Sequence, residues 1–307
     1  MTTRGTYPMT KTQADQASPI AIIRGVGDVG SAIAWKLLRA GFVVICHENR
    51  QPRTIRRRMA FCDALWKGEA VLDGVTARLV KRLENILPVA RKEAQIALYC
   101  GPFDALVSTI KPSLIVDGRI QKFSKVEPLK GLADLTVGVG PSFHAGEDVD
   151  LVIESCWGDE LGKIITHGFA AEPVAQPPRL NGIGRERFVR AQQEGRFETE
   201  LEIGQFVKAG EEIGKLDGKT ILASISGHLR GLLTPGLSVI KGEKLCEIDP
   251  RNEQAHFEGL AERPKGIADG VMSALYRFVP LERHPVQLKS LMDQWGLEFT
   301  GEKSEFT

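Results

Sequence analysis

Along the first half of the chain, short apolar runs alternate with apolar positions at helical spacing. Ile20–Ile23 is a continuous apolar run of strand length. From Ser31 onward Ile33, Ala34, Leu37 and Leu38 share one helical face, Gly41 lets the chain turn back, and Phe42–Ile45 is a second β-rich run. The same alternation continues downstream. Val71–Val80 carries β-branched residues around Asp73-Gly74 and predicts a hairpin. Lys81–Lys92 predicts a helix, Ile96–Tyr99 a strand, Asp104–Ile110 a helix and Leu114–Val116 a strand. Thr136–Val139, Asp148–Glu154 and Gly162–Thr166 add further strands. Strands and helices in alternation predict an α/β fold: a Rossmann-like, mostly parallel sheet with helices on both faces, over residues 19–185.

The second half has a different rhythm. Gly195, Phe197, Gly204, Val207, Gly210, Ile213, Leu216 and Asp217 recur 32 residues later as Gly227, Leu229, Gly236, Val239, Gly242, Leu245, Ile248 and Asp249. Short strands with glycine turns, repeated as two halves, resemble the barrel-sandwich hybrid of biotinyl and lipoyl carriers. A small all-β module over residues 186–250 is therefore expected. Lys219 occupies the hairpin where carriers are modified, but it lacks the Ala-Met-Lys-Met surroundings, so an unmodified docking module is the expectation. Ile267, Val271, Leu275 and Phe278 then mark a C-terminal helix within residues 251–307, followed by a polar end from Glu282. The proline-rich Ala171–Pro178 stretch and Asn181–Gly184 mark the boundary before the module. Residues 1–18 are polar and read as a flexible tail.

Bulk properties narrow the classes. A formal net charge of +1 over 307 residues gives no reason to expect a nucleic-acid partner or a membrane surface. No run approaches the ~20 apolar residues of a membrane span, and the N-terminus has no apolar signal core. The five cysteines, Cys46, Cys62, Cys100, Cys156 and Cys246, are scattered without paired spacing. They suit a reducing cytoplasm, and no metal site is expected from them.

The candidate chemistry sits in glycine-rich turns. Gly25, Gly27 and Gly30 have GxGxxG spacing between a strand and a helix. That context gives the three glycines defined tasks: a tight turn, close backbone approach to a phosphate, and helix-on-strand packing. The helix N-terminus adds a positive dipole end for an anion. Glu48, 18 residues after Gly30, is placed to accept a hydrogen bond from a ribose hydroxyl. Arg53, Arg56, Arg57 and Arg58 follow, on a stretch in which Pro52 starts a helix and Ile55, Met59, Cys62 and Trp66 form its apolar stripe. These arginines are either a solvated basic face or a clamp for a terminal phosphate. Asp117 ends a strand and either caps a turn or faces a ligand. Gly138, Gly140 and Gly146 make a second glycine-rich loop able to hold another anionic group. His144 within it reads as a solvent-facing loop residue, and Cys46 as a buried structural cysteine.

Several strings also resemble one family. They are Ile-Arg-Gly25-x-Gly27-Asp28, Gln51-Pro52 followed by arginines and Ala60-Phe61, Val137-Gly-x-Gly140-Pro-x-Phe-x-Ala-Gly146-x-Asp148-Val-Asp150, Val152-Ile-Glu154, Gly227-x-Leu-Arg-Gly231-Leu-Leu and Ile248-Asp-Pro-Arg251. The chain resembles the selenium-dependent molybdenum hydroxylase system proteins of the YqeB type from about Ile20 to Phe278. The resemblance implies a cytoplasmic accessory factor for a molybdenum hydroxylase, akin to XdhC-type proteins and non-enzymatic rather than an enzyme. It would bind a phosphate-bearing small molecule, the molybdenum cofactor or a nucleotide such as NAD(P), at Gly25–Gly30 with Asp28 included. Its partner would be the client enzyme, and a homo-oligomer is compatible with it. The alternative is an NAD(P)-dependent oxidoreductase, for which the chain lacks a Tyr-x-x-x-Lys or His–Asp arrangement.

Overall fold

The computed structural model describes residues 18–48, 51–121, 126–172, 179–280, 285 and 288–296. The expected tail up to residue 17, most of the proline-rich 171–178 stretch and most of the polar end lie outside these residues. The apolar run forms β1 (Ile20–Arg24), which feeds through the glycine turn into α1 (Asp28–Arg39) and then β2 (Val43–His47), parallel to β1. After α2 (Ala64–Lys67) come β3 (Glu69–Leu72) and β4 (Val75–Val80), joined antiparallel. Asp73 and Gly74 there have φ of 43° and 78°. Positive φ at both central residues is what a two-residue hairpin turn with the right twist requires. The chain continues through α3 (Ile86–Ala90), β5 (Gln95–Tyr99), α4 (Phe103–Ile110), β6 (Leu114–Asp117), β7 (Leu135–Val139), β8 (His144–Ala145), β9 (Leu151–Ile153), β10 (Ile164–Ile165) and β11 (Gly168–Phe169).

The expected architecture is corrected in both of its parts. In place of a Rossmann-like, mostly parallel sheet, the chain builds a large mixed sheet of nine strands in the order β10-β9-β7-β6-β1-β2-β5-β4-β3. The centre is parallel, but the β3–β4 hairpin closes one edge and the β9–β10 pair the other, both antiparallel. The cause at the first edge is the Asp73-Gly74 turn, which reverses the chain where a wound fold needs a crossover. No helix connects β6 to β7 among the described residues, and β8 and β11 form a separate two-stranded sheet.

The second part is not a self-contained barrel-sandwich module. Residues 188–249 form β12 (Phe188–Arg190), β13 (Gly195–Glu198), β14 (Phe206–Val207), β15 (Glu212–Leu216), β16 (Lys219–Leu222), β17 (Gly227–Leu232), β18 (Ser238–Val239) and β19 (Lys244–Asp249). They make two separate four-stranded antiparallel sheets, β12-β19-β17-β14 and β16-β15-β13-β18. The repeat is visible as matched strands, β13 with β17, β14 with β18 and β15 with β19. Each half completes the other's sheet, since β14 pairs with β17 and β18 with β13. Their common core includes Ile55, which comes from the chain before α2 and packs with residues such as Phe197, Leu229 and Leu232. The Leu232 N–H donates to the Ile55 carbonyl at 2.7 Å. This explains why the expected helix from Pro52 to Trp66 does not form. Ile55 serves the all-β core while Ala60, Phe61 and Cys62 serve the large sheet, and one helix cannot present one stripe to two cores.

After β19 come α5 (Glu262–Phe278) and α6 (Leu288–Gln294). One face of the large sheet, with Ala21, Ile23 and Val44, packs against Ile33 and Leu37 of α1 and Ile267 and Val271 of α5. The other face, with Ile22, Ile45, Ala97 and Ile115, packs against Ile86 of α3 and Leu106 of α4. Among the described residues no helix is long and apolar enough to cross a membrane.

Candidate functional site

Sheet register assembles the site. At the carboxyl ends of the central strands, Arg24 stands opposite His47 on one side and Asp117 on the other. The row extends to Tyr99 beyond His47 and to Gly138 beyond Asp117. Residues in register on parallel strands share a face, and neighbouring strands lie about 4.8 Å apart. The face that is apolar at Ile22, Ile45, Ala97 and Ile115 thus becomes charged and aromatic two residues later. This is the edge of a parallel sheet where ligands bind.

Arg24 is 4 % exposed. Its guanidinium lies over the Phe103 ring, with Cζ 4.1 Å from the centroid. Nη2 donates to Glu127 Oε2 at 2.8 Å, and Nη1 lies 3.7 Å from Asp117 Oδ2. Nε and Nη1 are buried and have no hydrogen-bond partner among the described residues. Asp117, fully buried, is taken up by Arg119, whose Nε and Nη2 donate to it at 3.0 and 2.6 Å. Those bonds hold the Arg119 charge firmly, overcoming the opposing effect of its burial. Glu127 is held below the usual carboxylate range by its bond from Arg24. His47 Nε2 lies 2.9 Å from the Gly101 carbonyl. Burial pushes the His47 pKa down against the raising effect of its bond to Gly101, with Arg24 and Arg119 adding to the lowering, which favours the neutral ring. A carbonyl can only accept, so Nε2 carries the proton and Nδ1 is left as an acceptor.

The glycine turn borders this row. Gly25 has φ of 103°, and a Cβ on it would stand 3.0 Å from Arg119 Cγ. A Cβ on Gly27 would meet only Thr54 Oγ1, at 3.2 Å, whereas one on Gly30 would stand 2.1 Å from the Gly25 carbonyl oxygen. Glu48 reaches back into the turn, where its Oε2 accepts the Val26 N–H at 3.0 Å. The carboxylate expected to meet a ribose is therefore bonded to the turn's own backbone. Asp28, the first residue of α1, pairs with Arg56 Nη1 at 3.0 Å. The rest of the Arg56 guanidinium binds Glu247 of β19 at 2.7 and 3.1 Å. Arg53 faces the all-β sheets, donating to the Ser238 carbonyl at 2.7 Å.

The second glycine loop is a different place. Gly138 continues the row, but a Cβ there would enter the Phe143 ring, so packing of that ring accounts for the glycine. Gly140 faces Ser155, and Gly146 lines a separate cavity of about 290 Å³ with His144, His167 and Lys130. His144 is not simply a solvent-facing residue, since it packs edge-on against Phe169 at 4.8 Å. Cys46 is fully buried and its thiol is pushed up by burial and by Glu48. Among the described residues no group of three His, Cys, Asp or Glu is placed to hold a metal ion.

The structure thus brings together Gly25, Gly27, Asp28, Gly30, Glu48, Arg56 and Asp117, and sends Arg53 and Gly146 elsewhere. Arg24, His47 and Arg119 escaped the reading of the sequence. The one available signal was an arginine ending an apolar strand just before the glycine turn.

No protein-family model matches the chain. It is 34 % identical over 267 residues to the uncharacterized protein YqeB of Escherichia coli (strain K12), covering 87 % of this chain and 49 % of that protein. The chain therefore spans about half the length of this relative. Among solved structures it is matched to an aspartoacylase family protein of Mesorhizobium loti (TM-score 0.24, 11 % identity, 75 % of this chain and 85 % of that one). Others are the ectoine utilization protein EutE (DoeB) of Ruegeria pomeroyi (0.23, 12 %, 76 % and 85 %) and a succinylglutamatedesuccinylase/aspartoacylase of Rhodobacter sphaeroides (0.24, 16 %, 75 % and 85 %). The functional expectation is corrected accordingly. The matched structures carry aspartoacylase and desuccinylase names, the relative is uncharacterized, and nothing in these likenesses supports the expected selenium-dependent molybdenum hydroxylase factor or the alternative NAD(P)-dependent oxidoreductase. TM-scores this low carry no activity over to this chain either.

Proposed function

We propose that the chain is a small-molecule-binding protein whose strand-end row takes a compact oxyanion, a phosphate or carboxylate group, on Arg24 beside the Gly25–Gly30 turn and Arg119. One observation carries the reading: Arg24 is buried with Nε and Nη1 unbonded among the described residues. Leaving buried donors of a charged group unmet costs about 1–3 kcal/mol or more, a cost expected where a ligand later supplies the acceptor. Asp117 does not meet the need, because Arg119 already occupies its carboxylate. The wall is close-set, with Arg119 against Gly25 and Thr54 against Gly27, which favours a compact group over an extended one.

Calorimetric titration of the full chain with a panel of small phosphates and carboxylates tests the reading, with Arg24→Met as the variant. Binding should be lost in Arg24→Met while its melting temperature stays level or rises, since the variant no longer buries unmet donors. A native chain that binds none of the panel, or an Arg24→Met chain that binds as well as native, would overturn the proposal.

A further inference from the structure

We infer that the ligand of this row carries a hydroxyl or amino hydrogen-bond donor beside its oxyanion, and that His47 selects for it. The inference rests on the proposed oxyanion site and deepens it. Arg24 and His47 stand in register on adjacent parallel strands, on the same face of the sheet. Both lie against Phe103, Arg24 with its Cζ 4.1 Å and His47 with its ring centre 5.1 Å from that ring's centroid. A group held by Arg24 therefore lies beside the His47 imidazole. The single hydrogen bond of that imidazole within the protein uses Nε2 as donor to Gly101, and Nδ1 makes none among the described residues. A neutral Nδ1 is an acceptor only. It repels a second oxyanion lone pair and rewards an O–H or N–H. The row thus presents two donors and, one strand away, one acceptor. Side chains on strands about 4.8 Å apart suit an oxyanion and a donor separated by a few bonds, as in 2-hydroxy acids, amino acids and the phosphates of small polyols.

Matched pairs of probes test this on the full chain: lactate against propionate, and glycerol 3-phosphate against propyl phosphate. The donor-bearing member of each pair should bind about 3- to 10-fold tighter, the worth of one net neutral hydrogen bond. His47→Phe keeps the ring but removes the acceptor, and should bind both members of a pair equally, near the affinity of the poorer one. His47→Asn, whose amide oxygen can stand in for Nδ1, should restore part of the preference, which a purely structural role for His47 would not do. Equal binding of both members by the native chain, or a preference that survives His47→Phe, would overturn the inference while leaving the oxyanion site standing. Should the folded native chain bind none of the four probes, the oxyanion site and this inference fall together. Loss of all binding in Arg24→Met with the preference intact in native chain separates the two claims.

Discussion

Asp249 keeps its charge inside the protein because donors surround it. Its carboxylate accepts from Arg251 Nη2 at 2.6 Å, from Arg230 Nη1 at 3.2 Å and from the N–H groups of Arg251 and His256. Burial alone would raise its pKa, but the Arg251 bond and the two backbone bonds outweigh that and hold it at about 2, against 3.8 for an unhindered group. The folded value is the lower one, so the stabilisation is complete above pH ~4 and disappears as pH falls through about 2. It amounts to ~2 kcal/mol. Unfolding free energies from urea titrations recorded from pH 7 to 2 should fall by ~2 kcal/mol more for the native chain than for Asp249→Asn. The repeat pairs Asp249 with Asp217, and here the limit of a sequence is plain. Asp217 tops an exposed turn and accepts the Arg196 N–H at 2.9 Å, while its counterpart is buried among arginines. A repeat carries position, and environment comes from whatever docks against it. Arg24 and His47 escaped notice for a like reason, since their pairing exists only once strand order sets β1 beside β2.

At the scale of elements, the join of β1 to α1 turns on Gly30. A methyl group there would stand 2.1 Å from the Gly25 carbonyl oxygen, and backbone on both sides cannot give way. Gly30→Ala should cost about 3 kcal/mol, the upper end for overpacking. Gly27→Ala meets only the Thr54 hydroxyl, at 3.2 Å, and should stay within about 1 kcal/mol of native. Chemical denaturation of the two variants checks the contrast, and equal losses would contradict it. This much was legible in the chain: apolar runs bounded by glycines gave the strand, turn and helix, and Asp73-Gly74 gave the hairpin. The stretch from Pro52 to Trp66 was misread because its apolar residues sit at helical spacing by serving two cores, and periodicity cannot tell which core a residue enters.

For the molecule as a whole, the large sheet and the two four-stranded sheets are held by a shared residue and a shared charge network. Ile55 fills the all-β core from outside it, and Arg56, its neighbour, spans Asp28 of α1 and the fully buried Glu247 of β19. Ile55→Ala should destabilise by about 2–4 kcal/mol, as for other buried large-to-small changes. Hydrogen exchange should report the loss first at Leu232, whose amide bonds to the residue 55 carbonyl. If protection there is unchanged while strands of the large sheet open, the coupling runs by another route.

The exchange of strands between the two repeat halves also bears on how the chain reaches its fold. Neither half owns a complete sheet, so neither can serve alone as a nucleus. Pairing β13 with β18 and β14 with β17 requires loops spanning the rest of the repeat to close before their hydrogen bonds reward the closure. The two halves of this region should therefore assemble together as one unit. Two chains emerging side by side could trade halves with every strand keeping the same neighbours, now supplied by the other copy, and only the link from Leu222 to Gly227 taking a new course.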